Sequence, residues 1–421
     1  DTITVISPVS GGPSEKVGIM PGDKIVEIDG ENATGESITT SWVQKRLRGP
    51  KDSEVTVKVV RSGINELLDF TIVRDVIPLY SVDAHYMVNE EIGYIKLSKF
   101  ARTSVDEFDA ALQALQEQGM TKLIFDLRNN SGGYLDVAIS LSDEFLSNDK
   151  LIVYTEGRSY PKQVAKATEE GDFENGDIVV LINEGSASAS EIVSGAIQDW
   201  DRGKIVGRRS FGKGLVQRPF RLADSSEIRL TVARYFTPSG RCIQKPYDNG
   251  NEDYFNDLAN RLKHGELDNA DSISFPDSLK YYTSSGRVVY GGGGIMPDVF
   301  VPLDTTDMSD YYKKLNIKAV AAKFAMQYVN DNRNKLTKKY KSSDKFIEDF
   351  TLTDEILSQF FEYANEQGVE YDEEGYNTSK SIIDTQLKAF IGRDLFDIAI
   401  FYRIINPLSD EFNVAIDLLT E

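Results

Sequence analysis

Cysteine is almost absent from this 421-residue sequence: Cys242 stands alone, so no disulfide can form within the chain. Histidine is nearly as scarce, with only His85 and His264. No apolar run approaches the roughly 20 residues that a membrane-spanning helix needs, so no membrane span is expected. The first residues, DTITVISP, have neither the basic start nor the apolar core of a signal peptide.

Positive charge is in the minority as well. Lysine and arginine number 47 against 67 acidic residues, which gives a formal net charge of −20. This balance disfavours binding to nucleic acid or to an anionic membrane, because both carry negative charge. Hydrophobic residues make up 40% of the chain, enough for buried cores. The length predicts two or three domains, at roughly 100–200 residues each.

Short strands and turns are predicted over residues 1–76. The valines of the stretch 55–59 alternate with polar residues, as on a half-buried strand. The stretch 40–50 predicts a short helix with Val43 and Leu47 on one face.

The pattern changes from about residue 90. Buried strands are predicted at 122–127 and 177–183, and an amphipathic helix follows each. Alternating strands and helices predict an α/β layer with parallel pairing. We therefore expect an α/β core over 77–308, with a polar, irregular insertion at 246–290. Residues 309–421 show helical patterns only, and they are expected to form a C-terminal helical domain.

A possible nucleophile lies in NEGSASASE, residues 183–191, between a buried strand and an amphipathic helix. A serine at a helix N-terminus lies near free N–H groups and the positive end of the helix dipole. These groups favour a nucleophilic hydroxyl and the oxyanion that it generates. Helix capping is the commoner role of serine at such a position.

A possible base lies in SFGKGLVQ, residues 210–217. If this stretch is a strand, Lys213, Leu215 and Gln217 point to the same side. An amine and an amide on one face could then meet a serine hydroxyl. An ordinary place on the protein surface is the usual alternative for both side chains.

A possible oxyanion site lies in DLRNNSGG, residues 126–133. Gly132 and Gly133 can present bare backbone N–H groups to a developing negative charge. A tight turn from strand to helix would need these glycines equally.

Two rival interpretations are disfavoured. GRRSFGK at 207–213 fits the start of a phosphate-binding P-loop, but Gly214 stands where Ser or Thr would bind magnesium. For a Ser-His-Asp triad, His85 precedes the α/β region and His264 lies in the irregular insertion. A serine enzyme built from this chain would therefore more plausibly use lysine as its base.

Taken together, these motifs resemble the carboxy-terminal processing (tail-specific) proteases of the S41 peptidase family. The matching stretches span roughly residues 1–305: PGDKIVEIDG, GYIKLSKF, DLRNNSGG, NEGSASASE, GKGLVQ, TPSGRCIQ and GGGGIMPDV. The resemblance implies a multidomain α+β protein with a PDZ-like β domain over 1–76. It implies a crotonase-like core of the ClpP/S41 type over 77–308, and neither a cofactor nor a metal ion.

The resemblance also implies roles for individual residues. Ser188 would be the nucleophile, Lys213 its base, and Gln217 the residue that positions the amine.

The oxyanion would be bound by the N–H of Ala189 together with that of Gly132 or Gly133, between which the motif does not choose. Glu191 would have a supporting role.

Substrate capture would fall to the PDZ-like domain, because PDZ domains bind a free C-terminus as an added strand. Val43 and Leu47 would line the groove, although core packing explains them equally well. The glycine-rich loop and first strand of such domains are missing ahead of Asp1, so this domain is expected to be N-terminally incomplete.

The implied function is a serine endopeptidase that cleaves proteins near their C-termini through an acyl-enzyme. The alternative is a non-catalytic, PDZ-containing module that binds peptides and retains the protease fold. Expected partners are protein or peptide substrates recognised by a free C-terminus, and a homo-oligomer is compatible with the sequence. The family suggests an extracytoplasmic location, in the periplasm or at the cell surface.

Overall fold

The computed structural model describes residues 2–9, 11–77, 80–169, 171–247 and 250–421. The chain divides into two compact units. One consists of Asp1–Leu79 with Thr305–Leu408, and the other of Tyr80–Asp304 with Ser409–Glu421. The predicted segment 309–421 is therefore shared between both units, since its last residues join the second.

The first unit opens with a small antiparallel sheet. Its five strands are β1 (Ile3–Thr4), β2 (Lys24–Ile28), β3 (Glu31–Asn32), β4 (Glu54–Val60) and β5 (Leu68–Val73). Their order is β1-β2-β4-β5, with β3 paired to β2. Two helices, α1 (Pro13–Lys16) and α2 (Thr40–Leu47), accompany them. On β4, Val55, Val57 and Val59 are buried, which confirms the predicted alternation.

The second unit contains the remaining strands. They are β6 (Val82–Met87), β7 (Ile92–Leu97), β8 (Lys122–Asp126), β9 (Leu151–Gly157), β10 (Tyr160–Lys166), β11 (Asp177–Ile182), β12 (Lys204–Gly207), β13 (Leu215–Arg221), β14 (Glu227–Phe236), β15 (Lys280–Tyr282), β16 (Val288–Tyr290) and β17 (Val299–Phe300). Its first five helices are α3 (Ser104–Gln116), α4 (Leu135–Asp143), α5 (Ala189–Asp199), α6 (Asn251–Phe255) and α7 (Asp257–Lys263).

A six-stranded sheet forms the centre of this unit, in the order β17-β12-β11-β8-β7-β6. All neighbouring pairs are parallel except β6 with β7. Helices α3, α4 and α5 connect its strands, and their apolar faces share the main core with the sheet. This arrangement confirms the predicted α/β layer, and it brings the carboxyl ends of β8, β11 and β12 to one edge.

A second sheet has the order β10-β9-β14-β13, so β13 is an edge strand. The stretch 246–290, expected to be irregular, contains helices α6 and α7 and the hairpin of β15 with β16. The polar composition of this stretch did not predict these elements, because ion pairs contribute to their stability. Arg261 is buried, and it pairs with Asp257 one helical turn earlier.

The chain from residue 309 onward is helical, as predicted. Seven helices belong to the first unit: α8 (Asp310–Ile317), α9 (Val320–Lys339), α10 (Ser343–Asp349), α11 (Asp354–Glu366), α12 (Glu373–Thr378), α13 (Lys380–Leu395) and α14 (Ile398–Ile405). The last helix, α15 (Asp410–Thr420), packs against β8, β11 and β12 in the second unit. Within the described ranges, no helix has both the length and the apolarity to cross a bilayer.

Candidate active site

Three loops meet where β8, β11 and β12 end. We call residues 127–134 the glycine loop, 183–188 the serine loop and 208–214 the lysine loop. Each follows a strand of the same parallel run, and such strands present their carboxyl ends at one edge of the sheet. The three motifs singled out in the sequence therefore come together by topology alone.

The glycine and serine loops are joined by hydrogen bonds. Asn130 O accepts from Ala187 N at 2.9 Å and from Ser190 Oγ at 2.8 Å. Asn129 and Asn183 bond reciprocally: Asn183 Oδ1 accepts from Asn129 N at 2.8 Å, and Asn183 Nδ2 donates to Asn129 Oδ1 at 3.0 Å. The two loops thus form one connected surface.

Ser188 adopts a backbone conformation that L-residues rarely occupy, with φ +55° and ψ −110°. Such strain costs on the order of 1–3 kcal/mol and persists only where surrounding contacts enforce it. Here Glu191 enforces it, since its carboxylate accepts from Ser188 N at 2.7 Å. A sharp strand-to-helix turn of this kind exposes a nucleophile at the start of a helix. The Ser188 side chain is only half-buried.

Glu191 connects the serine loop to the lysine loop. Its Oε2 accepts from Ser188 N and from Lys213 N at 2.9 Å. Its Oε1 accepts from Ser210 Oγ at 2.5 Å and from Gly212 N at 2.7 Å. Burial raises the pKa of Glu191, while these donors act in the opposite direction. Four hydrogen bonds thus connect Glu191 to Ser188 and to the lysine loop.

Tyr235 makes a second connection between the same two loops. Its hydroxyl lies 2.7 Å from Lys213 O and 3.0 Å from Ser188 O. Burial raises the pKa of Tyr235 well above its ordinary value, so the group stays a donor. The sequence motifs did not include this residue. The available signal was its alternation with the buried Ala233 along β14.

Lys213 is half-buried and lies just ahead of β13. Its backbone is held on both sides, by Glu191 at the N–H and by Tyr235 at the carbonyl. In the part of the chain that the structure describes, no hydrogen bond joins Lys213 Nζ to Ser188 Oγ. The fold therefore brings the two backbones together without pairing the two side chains.

Gln217 is exposed on β13, opposite Thr231 of β14. The expectation that Lys213, Leu215 and Gln217 share one face of a strand is wrong in detail. The strand begins only at Leu215, so Lys213 lies ahead of it and the alternation does not extend to this residue. The register shift between Val216 and Gln217 places its extra residue, Val232, on β14, so the alternation within β13 is intact.

The two glycines differ in what their N–H groups do. Gly132 N donates to Asn130 Oδ1 at 2.9 Å. A Cβ on Gly132 would lie 2.8 Å from Ser188 Cβ and 2.9 Å from Ala189 N, so only glycine fits beside the nucleophile. Among the described residues, no hydrogen bond uses the N–H of Gly133 or of Ala189. Of the three predicted oxyanion donors, these are therefore the two whose N–H groups are not engaged within the described residues.

The rival interpretations find no support in the geometry. His85 and His264 are both exposed, the first on β6 and the second at the end of α7. The lysine loop continues into strand β13, whereas a P-loop would open a helix.

Asp126, at the end of β8, is engaged by two basic side chains. It lies 2.6 Å from Arg128 Nη2 and 3.2 Å from Lys96 Nζ. Burial alone would raise the pKa of Asp126, but these two charges bring it well below its ordinary value. Nowhere among the described residues do three or more potential ligand side chains form a metal site.

On helix α2, Val43 and Leu47 are both half-buried. Leu47 packs against the core of the small sheet, so part of its apolar surface is already engaged. A peptide groove at these residues remains a prediction.

Three family models match the chain. Residues 91–250 match peptidase family S41, and residues 4–61 match the PDZ domain. Residues 311–397 match a family of unknown function.

Curated bacterial relatives match over about 245 residues, 58% of this chain in each case. The carboxy-terminal-processing protease of Bartonella bacilliformis is 42% identical, and 56% of its length is covered. The carboxyl-terminal-processing protease of Synechocystis is 37% identical, and 57% of its length is covered. The carboxy-terminal processing protease CtpA of Bacillus subtilis is 35% identical, and 51% of its length is covered. The chain thus spans only somewhat more than half the length of these relatives.

Among solved structures, the photosystem II D1 C-terminal processing protease is 26% identical, covering 72% of this chain and 69% of that one. The TM-score of this match is 0.38. The match to peptidase family S41 spans the three loops described above, so residues 91–250 of this chain are similar to that family.

Proposed function

We propose that the protein is a serine endopeptidase that cleaves other proteins near their C-termini. The observation that carries this proposal is the strained Ser188, held at the start of α5 by a buried carboxylate that also holds the Lys213 backbone. Strain of this kind is retained where function requires it. An ordinary helix cap would need neither the strain nor the connection to a lysine.

In the proposed reaction, the neutral amine of Lys213 takes the proton from Ser188 Oγ as the oxygen attacks the substrate carbonyl carbon. The tetrahedral intermediate then collapses, and the Lys213 ammonium returns the proton to the departing amine. The resulting acyl-enzyme is hydrolysed by water, with Lys213 again accepting a proton. Serine is regenerated, and one peptide bond is exchanged for an acid and an amine.

The negative charge of the intermediate would be stabilised by the N–H groups of Ala189 and Gly133. Both lack a partner among the described residues, whereas Gly132 N is occupied by Asn130. Removing a donor of this kind typically costs about 10²–10³ in kcat. Gly132 would instead provide the space that the substrate carbonyl needs beside Ser188.

The proposed base must reach the nucleophile during the reaction. Lys213 Nζ forms no hydrogen bond to Ser188 Oγ within the described residues, so a rotation of the lysine side chain has to precede proton transfer. The backbone on either side is already fixed by Glu191 and Tyr235, and only the flexible four-carbon stem needs to move. Catalytic hydrogen bonds often tighten only when substrate binds. Gln217 would position the amine after a similar adjustment.

Substrate choice would rest on the C-terminus of the target. The relatives named above are carboxy-terminal processing proteases, and residues 4–61 match a PDZ domain, a class that binds free C-termini. Val43 and Leu47 of α2 are the groove residues in this proposal. An extracytoplasmic location is part of the same proposal, by analogy with the family.

The decisive test is cleavage of an unfolded reporter protein by the wild type, by Ser188→Ala and by a matched control, Ser147→Ala. Ser147 is an exposed serine in a turn of the same unit. We expect the control to retain wild-type activity and Ser188→Ala to lose it. Reporters that end in an apolar or a charged tail would show whether the C-terminus selects substrates.

The second candidate is a non-catalytic module that binds peptides. It is favoured by the missing hydrogen bond between Ser188 and Lys213. Under this alternative, wild type and Ser188→Ala would bind the reporter tail equally, and neither would cleave it.

A further inference from the structure

Helix α15 reaches the candidate active site from the far end of the sequence. Its N-cap, Ser409, accepts a hydrogen bond from Phe412 N, and the Phe412 ring packs edge-on against Tyr94 with centroids 5.6 Å apart. Phe412 is buried together with Ala415 and Leu419 against the central sheet. The first turn of α15 is thereby fixed beside the ends of the strands that carry the three loops.

Glu411, in that first turn, contacts two arginines. Its Oε1 lies 2.5 Å from Arg208 Nη1, and its Oε2 lies 3.4 Å from Arg128 Nη1. Ser409 Oγ donates to the same Oε2 at 2.7 Å and accepts from Arg128 at 2.6 Å. The exposed fractions of the three charged side chains are only 12%, 14% and 6% for Glu411, Arg128 and Arg208.

Arg128 is the second residue of the glycine loop. Its guanidinium also makes a bidentate contact with Asp126 at the end of β8, with Nε donating to Oδ1 and Nη2 to Oδ2. Its carbonyl accepts a hydrogen bond from Lys96 at 2.5 Å. Since Gly132 and Gly133 follow within a few residues, the position of Arg128 sets where this loop starts.

Arg208 opens the lysine loop and also reaches the serine loop. Its Nε donates to Glu184 Oε2 at 3.0 Å, and its backbone N–H donates to Ile182 O at 3.2 Å. A single carboxylate on α15 is therefore bonded, through two arginines, to all three loops of the candidate site.

Charge makes this arrangement sensitive to Glu411. Although burial alone would raise the pKa of Glu411, Arg128 and Arg208 bring it below its ordinary value. Removing one member of a buried charge group leaves the others uncompensated, which is strongly unfavourable. Without Glu411, Arg128 and Arg208 would no longer share a carboxylate, and the link between them would be lost.

We propose that Glu411 is a positioning residue for catalysis, which holds the glycine, serine and lysine loops in register through Arg128 and Arg208. This inference rests on the proposed endopeptidase function. Glu411 touches no reacting atom, and it acts only through the two arginines. The S41 family match ends at residue 250, well before α15, so the inference concerns a residue outside the matched domain.

The test compares the full chain with Glu411→Gln, which keeps the shape of the side chain and removes its charge. The matched control is Asp417→Asn, an exposed carboxylate on the same helix. Because a misplacement far from the chemistry can cost about 10²-fold in rate, we expect kcat to fall by roughly 10–100-fold in Glu411→Gln. KM should change by no more than about two-fold, since substrate binding does not involve Glu411. Asp417→Asn should match the wild type in both constants.

Amide hydrogen exchange, measured by mass spectrometry, gives a readout that needs no activity. Glu411→Gln should accelerate exchange in residues 127–134 and 208–214, and leave α3 and β7 of the same unit unchanged. If the wild type shows no Ser188-dependent cleavage, the proposed function fails, and the exchange pattern still decides the inference. Wild-type kcat together with unchanged loop exchange would overturn it. Exchange that rises equally throughout the unit, with lower thermal stability, would also overturn it, because Glu411 would then act on the fold as a whole.

Discussion

Replacing Glu191 with glutamine should impair catalysis far more than it impairs folding. The carboxylate accepts four hydrogen bonds, from the backbone of Ser188, Gly212 and Lys213 and from the hydroxyl of Ser210. Glutamine has the same shape but only one accepting oxygen. Wherever its amide nitrogen is placed, at least one backbone N–H that was bonded to oxygen faces another donor.

The arrangement of donors sets the magnitude. A buried donor left unsatisfied costs about 1–3 kcal/mol. If the amide nitrogen takes the Oε1 position, Ser210 can reverse and accept, so only the Gly212 N–H is lost. The variant also no longer buries a carboxylate, which offsets part of this cost because burial disfavours that charge. We therefore expect the free energy of unfolding to fall by about 1–3 kcal/mol. For a unit of this size, each kcal/mol lost lowers Tm by roughly 2–4 °C.

The catalytic effect should be larger, because the lost bonds fix the two proposed reacting residues relative to each other. A shift of about 1 Å between such groups can cost about 10²-fold in rate. The assay is cleavage of an unfolded reporter under conditions that give kcat and KM separately, with thermal unfolding followed by circular dichroism. Glu117→Gln, at an exposed glutamate that caps the C-terminal end of helix α3, is the matched control.

Two outcomes test the role of the four hydrogen bonds. Glu191→Ala leaves all four donors without an acceptor and should be less stable than Glu191→Gln. The reasoning would be refuted by a folded Glu191→Gln protein whose kcat equals that of the wild type, since Glu191 would then have no part in holding Lys213 beside Ser188.

The remaining predictions concern a base and a half-buried acid. Lys213→Ala should abolish cleavage because it removes the proposed base. Lys213→Arg should abolish it too, because guanidinium keeps its proton at every accessible pH. The control Lys204→Arg, at an exposed site, should leave cleavage unchanged. Substantial turnover by folded Lys213→Arg would exclude lysine as the base. Burial and the carboxylates of Asp109, Asp172 and Asp143 raise the pKa of Glu144 to about 7, so its folded form holds its proton more tightly than the unfolded chain. The contribution of Glu144 to wild-type stability should therefore fall as pH rises from the ordinary glutamate range through about 7. Because glutamine cannot ionise, Glu144→Gln should raise Tm more at about pH 8 than at about pH 5. An equal change in Tm at both pH values would contradict this prediction.

Local patterns in the sequence were enough to predict much of this protein. The alternating valines of β4 and the apolar strands followed by amphipathic helices report burial directly, because side-chain periodicity follows backbone geometry. The motifs around Ser188, Lys213 and Gly132 identified the three loops, and parallel pairing made their convergence at one sheet edge predictable. The scarcity of histidine, a matter of composition alone, favoured lysine as the base.

Side-chain pairing across the loops depended on the tertiary structure. Glu191 bonds to Lys213, 22 residues further along, and Tyr235 bonds to both Ser188 and Lys213. No local period encodes such partners, because they meet only after the strands have paired. The start of β13 at Leu215, which leaves Lys213 ahead of the strand, has the same origin, since the strand is defined by its pairing with β14.

The clearest case is Glu411. In the sequence it is one acidic residue among 67, in a helical segment that gives no sign of contact with the core. In the fold its carboxylate lies between Arg128 and Arg208, at the ends of two different strands. Hydrophobic periodicity determines which elements form and which of their faces are buried, whereas buried charges have to be paired by whichever elements the chain topology brings together.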